Sequence, residues 1–496
     1  MSEHLIQIEE ARANLLDCAA FVAENIKNRD GYAAAMKEIV PRYLEKGAVD
    51  LAAQLADSID DPFARDRLLS AVAEKCAATG DDEYAFQLVE AIEDAGLQAE
   101  ARERIAAVKA ESGKIEQALE IAAALEHPSD ALGAIAFQLT KQNRETEARQ
   151  TLERIDYAAA KVHALQSIAG FYEQNNQKDK SNDALDEAAA AAEEIDFAEE
   201  KIRVLQNIAE HYANNGRHDK TIETFDKAKT ETEKLDGIYR DVFLGNISLG
   251  FLRAGSVELA DRTLDAVKDK TQIAACLLGF SRQFWAQNET GEAVETLEEA
   301  YAILKSQPET QIRDSRARFT LLASIAAQFA QFDKPERGIE IAQSIIDETE
   351  ETSALAQIAQ IGALKGSDQI TRQAVNAIKE ESERMFALIN VSDAKNRAEK
   401  RAEAVEYLNE AAHLAETVPQ LAARSQAFNE LAKRFAEYGD AGKARAVSLE
   451  NLETIAQIRD ETTRAVSLAR LAEVYEQANF DLTEAERKIL QGMIKN

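Results

Sequence analysis

LQSIAGFYEQNN (165–176) decides the fold of this chain, because close copies of it return along the sequence. They are LQNIAEHYANNG (205–216), LGNISLGFLRAG (244–255) and LLASIAAQFAQF (321–332), with weaker versions in LLSAVAEKCAATG (68–80) and LARLAEVYEQAN (468–479). In the first copy Leu165, Ile168, Ala169 and Tyr172 stand at offsets of 0, 3, 4 and 7, a single stripe on one α-helix. Leu205, Ile208, Ala209 and Tyr212 repeat that stripe. Internal repetition on this scale means stacked supersecondary units, none of which buries its apolar face alone.

Polar stops divide the chain into those units. They are Gly47, Gly80, Gly113, Asn143, Asn176, Gly216, Gly255, Asn288, Asp333, Gly366, Asn396, Gly439 and Asn479, and their spacings fall near 32 or near 41 residues. Glycine and asparagine suit a helix C-terminus because they enter the left-handed region at little cost. Pro62, Pro128, Pro308, Pro335 and Pro419 fall near the expected helix ends. Asp333 with Glu336 is spaced as a capping box, and Pro41, inside a helical pattern, is expected to kink or restart its helix. A second helix follows each stop. It carries a small residue about twelve positions after the first helix's own: Ala85, Ala118, Ala148, Ser181, Thr221, Ala260, Ala293, Gly338 and Ala444. Small side chains at both places let two helices approach closely.

Composition agrees with an all-α chain. The 45% apolar content is mostly alanine and leucine, with only 6% aromatics and 6 prolines, and β-branched runs are missing. No stretch of about 18 apolar residues is present to cross a membrane. The acidic start MSEHLIQIEEARANLL is unlike a secretory signal, so a cytoplasmic location is expected. A net charge of −31 disfavours nucleic acid and anionic lipid and favours a partner of basic character. Cys18, Cys76 and Cys276 lie apart among apolar residues and read as core thiols.

The small–aromatic pairs Ala169/Tyr172, Ala209/Tyr212, Ser248/Phe251, Ser281/Phe284, Ala326/Phe329, Ala432/Phe435 and Ala472/Tyr475, with the small residue on the second helix, resemble the tetratricopeptide repeat family. The family's early tryptophan is leucine here (Leu165, Leu205, Leu244), and its closing proline is mostly absent. The resemblance implies a right-handed α-solenoid of about 12–13 antiparallel helix pairs. Residues 1–30 are expected to form an N-terminal capping helix, 31–480 a continuous array and 481–496 a C-terminal capping helix.

Catalytic signatures are missing. The six histidines form no metal-ligand spacing, and no nucleophile elbow, dinucleotide fingerprint or phosphate loop occurs. Acidic pairs such as Asp60/Asp61, Asp81/Asp82, Glu193/Glu194 and Glu350/Glu351 read as caps and solvated helix faces. No catalytic residue, metal or cofactor is assigned. The expected function is a non-enzymatic scaffold that binds a protein segment or peptide along the concave face, as a monomer or weak homo-oligomer. An α/α-toroid hydrolase using paired carboxylates and a peptide-sensing regulator are the alternatives. Leu278, Arg282 and Trp285 share one face of a first helix, and Leu249, Leu252 and Arg253 hold corresponding places one unit earlier. A polar series, Ser167, Asn207, Asn246, Ser324 and Gln357, precedes the small position by two residues. Asn207 and Asn246 resemble the asparagine ladder by which some arrays of this family hold an extended peptide, since an amide both donates and accepts.

Overall fold

The computed structural model describes residues 4–306 and 315–494, so Pro308 lies outside the described residues. Among these residues all regular structure is helical. The chain begins with α1 (Ile8–Ala11), α2 (Leu15–Ala23), α3 (Arg29–Glu45), α4 (Val49–Asp57), α5 (Pro62–Thr79) and α6 (Asp82–Glu90). It continues with α7 (Ala95–Glu111), α8 (Ile115–Ala123), α9 (Ser129–Lys141), α10 (Glu145–Leu152), α11 (Ala158–Gln174), α12 (Lys178–Ala192), α13 (Ala198–Asn214) and α14 (His218–Glu231). Next come α15 (Gly237–Arg253), α16 (Val257–Leu264), α17 (Lys270–Ala286), α18 (Thr290–Lys305), α19 (Ser315–Gln331), α20 (Pro335–Gln343) and α21 (Glu348–Leu364). The last are α22 (Asp368–Ala377), α23 (Glu381–Arg397), α24 (Arg401–Thr417), α25 (Leu421–Glu437), α26 (Ala441–Gln457), α27 (Glu461–Gln477) and α28 (Glu484–Met493). From α3 onward, odd-numbered helices are the first and even-numbered helices the second of each pair. Residues 1–101 with 352–496 form one compact unit, unit 1, and residues 102–351 form unit 2.

One local device makes every hairpin. The residue ending the first helix turns left-handed, and the next amide bonds back to the carbonyl five residues earlier. Gln177 N donates to Tyr172 O at 2.8 Å, Arg217 N to Tyr212 O at 2.8 Å and Ser256 N to Phe251 O at 2.9 Å. Twelve of the thirteen stops read from the sequence have positive φ. The exception is Asn396, which lies in the last turn of α23; Glu399 takes the left-handed place at φ 60°. The turn is so tight that the next residue already caps the second helix. That displaces the expected capping box: Lys334, not Asp333, is the N-cap of α20, and Asp333 is the left-handed residue at φ 59°. Pro41 does not divide α3, which runs through it.

The repeated stripe is the core. Leu165, Ile168, Ala169 and Tyr172 are buried, as are Leu205, Ile208, Ala209 and Tyr212. The small positions of the two helices meet directly in α15 and α16, where Ser248 Oγ donates to Ala260 O at 2.7 Å. Aromatic hydroxyls tie one hairpin to the preceding one: Tyr212 to Asp186 at 2.5 Å, Tyr43 to Asp17 at 2.6 Å. Two lysines occupy the aromatic slot, Lys109 and Lys395, and both are buried. Lys395 threads its stem into the core and pairs with Asp368 and, at 2.6 Å, with Glu403.

Unit 1 is built from both ends of the chain. Eight of the nine residues of α2 are buried, so that helix needs cover on nearly every side. It packs on α27, as does α3. Arg42 pairs with Glu473 at 2.5 Å, Lys46 with Glu476 at 2.5 Å and Arg470 with Glu38 at 2.9 Å. The N-terminal segment therefore covers the apolar face of α27. At the other end α28 opens with a capping box, Thr483 and Glu486, and packs on α26.

Candidate binding surface on the first helices

Within unit 2 the first helices α9, α11, α13, α15, α17 and α19 pack on one another in series. Polar and close apolar contacts stitch neighbours across the face they share. His211 Nδ1 lies 2.9 Å from Glu173 Oε1, joining α13 to α11. Arg253 pairs with Glu210 at 3.5 Å, joining α15 to α13. Leu249 of α15 sits so closely over Gly279 of α17 that a Cβ there would stand 2.8 Å from Leu249 Cδ2. Arg282 Nε donates to Gln328 Oε1 at 2.6 Å, joining α17 to α19.

The predicted partner residues divide on this face. Asn207, Asn246, Arg253 and Arg282 are exposed, and Leu249 and Trp285 are half-buried. Leu252 and Leu278 are 1% and 5% exposed, so they belong to the core and offer no surface to a partner. The reason is the direct packing of first helix on first helix, which buries a second stripe beside the repeated one. Trp285 is stacked on Phe332, with ring centroids 4.4 Å apart.

The polar series divides as well. Ser167 Oγ donates to His163 O at 3.0 Å and Ser324 Oγ to Thr320 O at 3.0 Å, each within its own helix. Gln357 Nε2 donates to Ser353 Oγ at 3.2 Å. The amides of Asn207 and Asn246 are exposed and, among the described residues, bond to no side chain or backbone group. These two sit at equivalent places on adjacent helices, with Leu249 and the Arg253–Glu210 pair beside them.

Elsewhere charged side chains pair between helices. Glu145 pairs with Lys180 at 2.5 Å and Arg149 with Glu187 at 3.1 Å, in a cleft of about 610 Å³ that Tyr172 also lines. Hydrogen bonding from Lys180 holds the Glu145 carboxyl below its usual range. Of the acidic pairs, Asp61 and Asp81 cap α5 and α6, Glu193 pairs with Lys201 at 2.9 Å, and Glu350 accepts from Thr320 at 2.7 Å. Cys18, Cys76 and Cys276 are free and buried, and burial pushes their thiols up to about 12, 11 and 11. No group of His, Cys, Asp and Glu suited to a metal ion occurs among the described residues. Nor is any described helix long and apolar enough to cross a membrane.

Basic residues recur near the starts of first helices, among them Lys201, Arg424 and Arg464. Lys201 pairs with Glu193 at 2.9 Å, whereas Arg424 and Arg464 donate to the backbone, to Val418 O at 2.8 Å and Ile458 O at 2.8 Å. They satisfy carbonyls left open at the end of the preceding helix. Sequence reasoning also missed Tyr157, Phe197, Ile238 and Tyr239, all exposed at the starts of α11, α13 and α15. For Tyr157 and Phe197 the signal was an aromatic N-cap where α5, α17 and α27 carry aspartate.

Pairs of antiparallel helices with small–aromatic contacts and left-handed stops define a tetratricopeptide-like repeat fold. No protein-family model matches the chain, and no curated protein is significantly similar to it. Among solved structures it is similar to Ton1535 from Thermococcus onnurineus NA1, with 14% identity, 68% of this chain and 97% of that one covered, and a TM-score of 0.29. Putative kinesin light chain TPR-like repeats from Podosopora anserina match at 16% identity over 46% of this chain and 100% of that one, with a TM-score of 0.25. A Rap protein complexed with Competence and Sporulation Factor matches at 13% identity over 64% and 98%, with a TM-score of 0.27. At such TM-scores none of the three bears on what this chain does.

Proposed function

We propose that this protein is a non-enzymatic interaction scaffold that holds an extended segment of a partner protein on the first-helix face of unit 2. One observation carries the reading: Asn207 and Asn246 repeat on adjacent helices with both amides exposed and unengaged, while Ser167, Ser324 and Gln357 are satisfied within their own helices. A peptide backbone offers alternating donors and acceptors, and an amide answers both. Leu249 supplies an apolar contact beside the pair, and Arg253 and Arg282 supply charge at its margin. The excess of acidic residues over basic ones favours a segment of basic character in a cytoplasmic setting.

The test is the double substitution Asn207→Ala with Asn246→Ala. A partner recovered from native lysate should lose affinity by more than about 1 kcal/mol, since two hydrogen bonds go unmade. Helicity and melting should stay unchanged, because both side chains are exposed and bond nothing. Equal affinity for both proteins removes the amides from the function.

A further inference from the structure

Five first helices, α5, α7, α17, α21 and α27, begin alike. A buried aliphatic residue is followed two positions later by an aspartate that caps the helix. Asp61 accepts from Ala64 N at 2.7 Å, Asp94 from Leu97 N at 2.8 Å, Asp269 from Gln272 N at 2.9 Å, Asp347 from Glu350 N at 3.0 Å and Asp460 from Thr463 N at 2.7 Å. The aliphatic anchors are Ile59, Ile92, Val267, Ile345 and Ile458.

The N-caps of α9, α23 and α25 are Pro128, Glu380 and Gln420 and hold no first-turn amide. Among the described residues, however, only in α11, α13 and α15, three consecutive first helices of unit 2, does the missing cap coincide with exposed large apolar side chains. In α11 and α13 the anchors Ile155 and Ile195 are in place and buried, but the N-cap residues are Tyr157 and Phe197. Neither side chain can accept a hydrogen bond from the first turn in the way an aspartate does. In α15 the N-cap Asp236 holds no first-turn amide, and Ile238 and Tyr239 follow it. All four apolar side chains face solvent: Tyr157 is 53% exposed, Phe197 74%, Ile238 53% and Tyr239 62%. Giving up a cap and exposing an aromatic ring both work against stability, and here they coincide on neighbouring hairpins.

The positions form one row. Tyr157 Oη lies 3.2 Å from both carboxylate oxygens of Glu200, which brings the ring of α11 to the first turn of α13. There Phe197 stands, and α13 packs in turn on α15. The surround is acidic. Glu193, Glu194, Asp196, Glu199 and Glu200 flank Phe197 with no basic residue between them in sequence. Glu193 is engaged by Lys201 and Lys227, whereas Glu194, Asp196 and Glu199 are exposed and form no ion pair among the described residues. Glu153 and Asp156 stand beside Tyr157, Glu233 and Asp236 beside Ile238, against Arg154, Lys234 and Arg240.

We infer that this row is a second docking surface, for a partner-protein segment whose aromatic or aliphatic side chains alternate with lysine or arginine. Exposed aromatic rings supply the anchoring area that interface hot spots favour. The unpaired carboxylates select the charge of what lies over them. A second copy of this chain is disfavoured as occupant, because it would bring the same acidic rim and a net charge of −31. The row lies at the helix starts, away from Asn207 and Asn246, and stands independently of the function proposed above.

The experiment uses the full-length protein and three labelled synthetic peptides of equal length. One alternates lysine with leucine or phenylalanine, one has glutamate in place of lysine, and one has serine in place of the apolar residues. The variant is Tyr157→Asn with Phe197→Asn, which keeps the charge and restores a side chain able to cap. Its affinity for the lysine–apolar peptide should fall by about tenfold or more, as for loss of central aromatic contacts. Its melting temperature should rise, by about 2 °C or more for two restored caps. The Asn207→Ala, Asn246→Ala variant should bind that peptide as the wild type does, so failure of one surface is distinguishable from failure of the other. Unchanged affinity in the Tyr157/Phe197 variant overturns the inference, as does equal binding of the glutamate or serine peptide. A fall in melting temperature also overturns it, since the rings would then be packing groups. Self-association of the wild type that the variant abolishes assigns the row to a second copy instead.

Discussion

Trp285 lies flat against Phe332, with ring centroids 4.4 Å apart and 14° between the planes. Phe332 is buried and follows the last residue of α19, so the stack fastens one first helix to the next. An indole in that position is an element of packing before it is anything else. Trp285→Ala should lower stability by about 2 kcal/mol, part from lost burial and part from the lost stack. Denaturant unfolding followed by circular dichroism checks this. A loss below about 0.5 kcal/mol, the range of ordinary surface substitutions, would mean the stack contributes little.

Gly250 is a different kind of fastening. The Phe225 ring of α14 lies on its backbone, so that an added Cβ would stand 2.3 Å from Phe225 Cζ. Phe225 and neighbouring Phe251 are both buried, with rings 5.7 Å apart, so the phenylalanine has little room to withdraw. Gly250→Ala should therefore destabilise by about 2 kcal/mol despite the better helix propensity of alanine, because overpacking a closed contact outweighs it. A stabilised variant would show that the ring moves freely.

What could be read from the sequence follows from which residues act alone. Leu165, Ala169 and Tyr172 announce the core because a helix repeats its face every three or four residues. Gly216 and Asn176 announce the turns because few residues enter the left-handed region cheaply. Glu399 escaped, being a helix former whose conformation is imposed by the hairpin. Lys395 escaped for a similar reason: nothing in its own sequence says that Asp368 and Glu403 will meet it inside an aromatic slot. On the candidate surface, the spacing of Asn207 and Asn246 placed them on the exposed face of their helices, where the structure has them. Leu252 and Leu278 were misplaced because the helix that covers them belongs to another repeat. Tyr157 and Phe197 were overlooked because they lie outside the repeated stripe, where only comparison with Asp61 or Asp460 shows that a cap is missing.

Glu399 offers a direct gain in stability. At φ 60° its side chain crowds the following carbonyl, a cost that glycine does not incur. Glycine also loses more freedom on folding, which offsets part of the gain. The net expectation for Glu399→Gly is about 0.5–1 kcal/mol of added stability, read as a shift in denaturant midpoint at unchanged slope. A destabilised variant would mean the glutamate side chain makes a contact worth more than the strain.

Glu486 ties stability to acidity. Its burial raises the carboxyl pKa, but the hydrogen bonds from Tyr475 and Thr483 and the nearby Arg445 guanidinium outweigh that and hold it below its usual value. Tyr475 Oη donates at 2.6 Å, Thr483 N at 2.6 Å, and Arg445 Nη2 lies 2.7 Å away. A group depressed in the folded state contributes stability that is fully present above its unfolded pKa, about 4.3, and is lost as pH falls through the folded value. Melting of the wild type should therefore drop steeply below about pH 4.3. Glu486→Gln keeps the shape but cannot ionise, so it should be less stable at neutral pH, with the gap to wild type narrowing as the solution is acidified. A gap that stays constant from neutral pH to pH values well below 4 would show that the carboxylate charge at Glu486 contributes nothing to holding α28 in place.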